Sequence, residues 1–114
     1  MEIKTESYQV RYDETSHQII FDGSLRLNGS KEYASISELL NCVAQQEPEK
    51  IILDLRELSF LNSSGISILS KFVIHVRKRK NIQMVIIGAT KNPWQSKSLK
   101  NLQRLMPSLK LEFV

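Results

Sequence analysis

Ile51-Ile52-Leu53-Asp54-Leu55-Arg56-Glu57-Leu58-Ser59-Phe60-Leu61-Asn62-Ser63-Ser64-Gly65-Ile66 is the stretch on which the reading of the fold turns. Its opening run, Ile51–Leu53, is unbroken and apolar, as a strand covered by other elements in a parallel sheet is. Asn62-Ser63 then supplies two of the best helix N-caps. From about Ser63 to Arg79, Ile66, Leu69, Val73 and Val76 recur at helical spacing, and Ile68 and Phe72 widen the stripe. A second apolar run, Met84-Val85-Ile86-Ile87, follows. Strand, crossover helix and strand in this order make a βαβ unit, almost always right-handed.

Working outward, Tyr8, Val10 and Tyr12 alternate with Gln9 and Arg11, and Gln18-Ile19-Ile20-Phe21 returns after the polar turn Asp13–Ser16. These form an antiparallel hairpin. Ser30 is placed to cap a helix running to about Gln46, with Tyr33, Ile36, Leu39, Leu40 and Val43 on one face. Pro48 stops it. Asn92-Pro93 reads as an N-cap with proline at N1, ahead of Leu99, Leu102, Leu105 and Met106. Leu111 and Phe113 alternate with Lys110 and Glu112 in a last, edge strand. The fold class is α/β: a mixed sheet with an N-terminal antiparallel hairpin, parallel βαβ units and helices packed on it. Ile52, Leu69, Phe72 and Ile86 are expected to be buried together under the second helix.

The 114 residues suit one domain spanning 1–114. A content of 41% hydrophobic and 25% charged residues is that of an ordinary globular protein. The single cysteine, Cys42, offers no internal disulfide and no metal cluster, which fits a reducing compartment. No stretch approaches the roughly 20 apolar residues of a membrane span, and Met1–Glu6 has no signal-peptide core. The expected location is the cytoplasm. The net charge of +4 collects in Arg77-Lys78-Arg79-Lys80 and at Lys91, Lys97, Lys100 and Arg104. The first cluster reads as a solvated helix end complementing the dipole. The alternative is a nucleic-acid-binding surface, for which no recognised motif or interleaved aromatics are present.

Catalytic constellations are not found. His17 and His75 are not spaced with Cys, Asp or Glu as a metal site requires, and no metal or cofactor is expected. Nothing in the sequence brings a base to Ser63, and nucleophile elbows, phosphate loops and dinucleotide fingerprints are missing. Asp54, at a strand end, is read as structural. Trp94 is read as covering the sheet edge, with an exposed partner anchor as the other reading.

The stretch from Lys50 to Val76 resembles the signature of the STAS family: a buried strand ending in Asp54-Leu55, a loop reaching an aromatic, then Asn62-Ser63-Ser64-Gly65 opening a helix. The resemblance implies a regulatory protein-interaction module like the bacterial anti-sigma-factor antagonists. In those proteins the serine after the motif's acid is phosphorylated by a partner kinase, and phosphorylation breaks the contact. The corresponding residue is Ser63, with Ser64 the fallback. The partner surface would comprise Arg26, Asn62, Ser63, Ser64 and Gly65, with Gly65 allowing close backbone approach. Its partner would be an anti-sigma factor, a kinase-like regulator or another signalling protein. The chain departs from the pattern twice, with Asn62 replacing the usual acid and Gly23-Ser24-Leu25-Arg26 replacing Gly-Glu-Leu-Asp. The site is thus more positive than the usual one.

Overall fold

The two apolar runs lie side by side as parallel strands in the six-stranded sheet of the computed structural model, which describes residues 1–114. The strands are β1 (Glu2–Lys4), β2 (Tyr8–Asp13), β3 (Gln18–Leu25), β4 (Lys50–Leu61), β5 (Gln83–Gly88) and β6 (Lys110–Phe113), ordered in the sheet as in the chain. β1–β2 and β2–β3 are antiparallel, and β3 through β6 run parallel. The helices are α1 (Gly29–Glu32), α2 (Ala34–Gln45), α3 (Ser63–Lys78) and α4 (Gln95–Leu105).

The order of the parallel strands decides where the helices go. Three successive crossovers all step the same way across the sheet, and right-handed crossovers then lay every helix on the same face. Burial follows that rule. Ile51, Leu53, Met84 and Ile86 are almost fully buried beneath the helices, with Leu69, Phe72, Val73 and Leu99 above them in one core. The opposite face carries no helix.

Ile52 belongs to that bare face. It alternates with Ile51 and Leu53 and is only half-buried, so it does not join Leu69, Phe72 and Ile86 under α3. A run apolar on both faces hides its parity; the partly covered side becomes visible only once the helices are placed.

The structure adds an edge strand to the hairpin, pairing Ile3 with Val10. Three further expectations are corrected. The stretch after Leu55 is strand, not loop: β4 continues to Leu61 beside β3, with register shifts at Ile20/Asp22 and Gly23/Ser24. Those irregularities put Leu55, Leu58 and Leu61 inward three residues apart, which breaks the alternation that marks a strand. The single helix expected from Ser30 is two, because Tyr33 breaks it with φ −85° and ψ 0°. Finally, α4 starts at Gln95, and Asn92 does not cap it.

Candidate functional site

Asn62 closes the passage from β4 into α3. Its side-chain oxygen accepts from Gly65 N–H at 2.9 Å, the bond an N-cap makes to the helix's third residue. The same oxygen accepts from the Tyr33 hydroxyl at 2.7 Å, and its amide nitrogen donates to the Leu27 carbonyl at 2.7 Å. Leu25 O accepts from Asn62 N–H at 3.2 Å. One amide therefore ties α3, the α1–α2 break and the segment after β3 together.

That network explains the departure from the usual acid. A carboxylate at 62 could still cap the helix and receive the Tyr33 proton. It would have no hydrogen to give Leu27, and two acceptors would face each other. Tyr33 is 1% exposed, and burial is the main cause holding its hydroxyl above the usual phenol range, so it stays a donor. Sequence reading took Tyr33 as a core residue and missed its polar end; the signal was a tyrosine at an apolar helix position, whose hydroxyl needs a buried partner.

The other residues of the expected partner surface divide sharply. Gly65 is buried, and a Cβ there would meet the Leu61 side chain and come within 2.8 Å of the Tyr33 hydroxyl. Its missing side chain is used inside the fold, which corrects the expectation of close approach by a partner. Ser64 is half-buried, and its hydroxyl accepts from Gly29 N–H at 3.2 Å. Ser63 is exposed, at the first residue of α3, and its hydroxyl has no hydrogen-bond partner in the chain. Arg26 is exposed, just past β3, with its guanidinium 4.2 Å from the centre of the Phe60 ring. That stacking holds a cation on the rim while leaving its donors free.

A second set of polar side chains seals the far part of β4. Pairing of β4 with β5 ends at Asp54↔Ile87. Beyond that point the carbonyls of β4 are taken by side chains of the β5–α4 segment. Gln95, fully buried, donates to Leu55 O at 2.7 Å and Leu58 O at 3.1 Å, and accepts from Ala89 N–H at 2.8 Å. Asn92 donates to Arg56 O at 3.0 Å, and the Trp94 indole to Leu58 O at 3.2 Å. Trp94 is thus half-buried over β4, the sheet-covering reading. Gln95 escaped the sequence reading because a glutamine next to a tryptophan looks like a surface residue.

Asp54 sits where this substitution begins. Its carboxylate accepts from Arg56 N–H at 3.1 Å, Arg56 Nε at 2.9 Å and Arg56 Nη2 at 2.7 Å. Burial opposes its ionisation, but these bonds and the charges of Arg56 and Arg11 overcome it and hold the carboxyl below its ordinary range. No group of three or more His, Cys, Asp or Glu is placed to hold a metal ion, and no helix is long and apolar enough to cross a membrane.

Hairpin, parallel crossovers, one-sided helices and a capped serine-bearing helix start define a class, and the chain belongs to it: the STAS domain family, whose model matches residues 12–110. Among solved structures it is similar to SiaC of Pseudomonas aeruginosa, at a TM-score of 0.65 and 11% identity over 98% of this chain and 92% of that one. It is also similar to a chain in the crystal structure of the diguanylate cyclase SiaD in complex with its activator SiaC from Pseudomonas aeruginosa. There the TM-score is 0.73 and the identity 11%, over 100% of this chain and 99% of that one. At such identity the likeness is one of fold. No curated protein matches the chain significantly.

Proposed function

We propose that this STAS domain is a regulatory protein-interaction module of the anti-sigma-factor-antagonist type. It docks a protein partner at the start of α3, through Ser63 and Arg26, and is switched by phosphorylation of Ser63. It acts by binding and not by turnover. The observation that carries this reading is the division among the residues at the β4–α3 passage: Asn62, Ser64 and Gly65 are committed within the fold, and the Ser63 hydroxyl is left outside.

The chemistry of that position suits a switch. The first turn of α3 has no acidic residue, and its N-terminus carries partial positive charge. A phosphate on Ser63 would be stabilised by it and would leave the Asn62 cap intact, so roughly two negative charges appear on the docking surface with the fold unchanged. Arg26 on the neighbouring loop adds a cation within the same region. SiaC, which shares this fold and is named as the activator of a diguanylate cyclase, supports a protein partner drawn from signalling enzymes as well as from anti-sigma factors.

The test is affinity capture from cell extract with wild type and Ser63→Asp, read by mass spectrometry for partners and phosphosites. The expected result is a partner retained by wild type and depleted by Ser63→Asp, with phosphate on Ser63. Identical partner sets, with phosphate on neither Ser63 nor Ser64, would contradict the proposal.

A further inference from the structure

The bare face of the sheet ends, at the strand starts, in a groove of about 530 Å3. Its floor is aliphatic. Ile52 on β4 stands opposite Val85 on β5, and Ile87 lies two residues further along. Its rim is basic. Lys50 begins β4 opposite Gln83, Lys110 begins β6 opposite Val85, and Lys80 comes from the turn after α3. Lys50 and Lys110 thus flank β5 from both sides, two strand spacings across and two residues apart along the strands, about 12 Å between backbones, within reach of a common point above β5. None of the three lysines forms an ion pair; the chain's salt bridges are Asp54–Arg56, Glu47–Arg79 and Glu57–Lys91. The one acid in the groove, Glu112, stands opposite Ile87 at the other end of the floor.

We propose that this groove binds a small phosphorylated molecule with an apolar body. Lys50, Lys80 and Lys110 hold its phosphates, and its body lies on Ile52, Val85 and Ile87. Three features favour that chemistry. The volume falls in the range of small-molecule sites, roughly 300–1,000 Å3. The cations are all lysines, compact point charges that suit a multiply charged phosphate, whereas a planar carboxylate is better matched by the arginine fork. Lys50 and Lys80 lie at the strand starts and Lys110 flanks the near end of the floor at Val85, so the positive charge gathers at one end of the groove and the ligand must be anionic there and apolar toward Ile87. A long polyanion would use the rim and leave the floor idle. The groove is at the start of β4 and Ser63 lies beyond its end, so this site stands apart from the partner-docking surface.

The test uses the intact chain and calorimetric titration with inorganic pyrophosphate, adenosine diphosphate, isopentenyl diphosphate and a 20-nucleotide single-stranded DNA. We expect at least one of the two diphosphates with a body to bind with Kd below about 100 µM, and at least about tenfold tighter than pyrophosphate. Lys80→Glu/Lys110→Glu should weaken that ligand by at least about tenfold, and Ile87→Ala should weaken it while leaving pyrophosphate unaffected. Both lysines are exposed, so the reversed variant should keep its unfolding midpoint; Lys80→Gln/Lys110→Gln serves if it does not. The proposal is overturned if neither body-carrying diphosphate binds, if pyrophosphate binds as tightly, if only the DNA binds, or if the lysine variants bind unchanged.

Discussion

Two of the chain's passages from a parallel strand into a helix, at Leu61–Ser63 and at Gly88–Gln95, rest on side-chain amides. At the second, Gln95 is entirely buried and, with Asn92 and Trp94, takes the carbonyls that a continuing β5 would have satisfied on β4. The amides of Asn92 and Gln95 are buried there and turned wholly inward. At the first, Asn62 satisfies the helix start and the break at Tyr33 with one side chain, and by doing so it releases Ser63 from capping duty. The same chemistry produces a sealed junction and an open one. The difference is which residue does the capping. In a helix that began with Ser63 as its cap, phosphorylation would remove a structural bond. Here it would not.

The largest expected effect lies at the sealed junction. Gln95→Leu keeps the approximate volume and strands Ala89 N–H and Leu55 O without partners, while Leu58 O retains Trp94. Each unpaired buried group costs about 1–3 kcal/mol, so chemical denaturation should show a loss of about 2–6 kcal/mol. A loss below about 1 kcal/mol would mean the junction is not sealed by these bonds. Asn62→Asp should cost less, about 1–2 kcal/mol, since the cap survives and only the donor to Leu27 is lost. An unchanged or raised stability would show that position 62 tolerates an acid and that its amide has no structural use.

Acid should act on β4 between the two junctions. The folded carboxyl of Asp54 is depressed, so its contribution is fully present above the unfolded pKa of about 3.9 and is lost as pH falls through the lower folded value. Arg56→Gln removes the two guanidinium hydrogen bonds and the adjacent charge, leaving only the residue-56 backbone N–H and the more distant Arg11 to oppose burial. In a pH series of unfolding midpoints, stability should then begin to fall at higher pH than in wild type. Coincident acid limbs would show that the Asp54–Arg56 pair does not govern this window. The smallest effect is expected at the open junction. Ser63→Asp should stay within about 0.5 kcal/mol of wild type, because the α3 dipole favours a carboxylate there.

What was legible in the sequence follows from the same contrast. The succession of elements from β2 onward, the βαβ unit and the inward faces of α3 and α4 were legible because they rest on periodicity, and periodicity survives without knowledge of neighbours. The β4 extension was not, since a bulged pairing spaces Leu55, Leu58 and Leu61 like nothing in particular. Ile52 was placed on the wrong face because an unbroken apolar run looks the same whether one side or both are covered. At the candidate site, the STAS signature drew attention to residues 62–65 together. It could not divide them, because Asn62, Ser63 and Ser64 are all good caps. Only Tyr33, Leu27 and Gly29, contributed from 29 to 35 positions away, decide which one caps and which one is free. Tyr33 and Gln95 show the general limit: each uses its polar end on a partner that the local sequence does not contain.

The central claim is that the free Ser63 hydroxyl is the switch and that Asn62 carries the structure in its place. The most direct measurement is calorimetric titration of the captured partner against wild type, Ser63→Asp and Ser63→Asp/Arg26→Ala, with unfolding midpoints recorded on the same samples. The account expects matching midpoints and a loss of affinity greater than about tenfold, or roughly 1.4 kcal/mol, for Ser63→Asp. It expects a deeper loss when Arg26 is also removed, because that guanidinium can pair with the new charge. Equal affinities for all three proteins would contradict it, and would leave residues 62–65 as a helix start and nothing more.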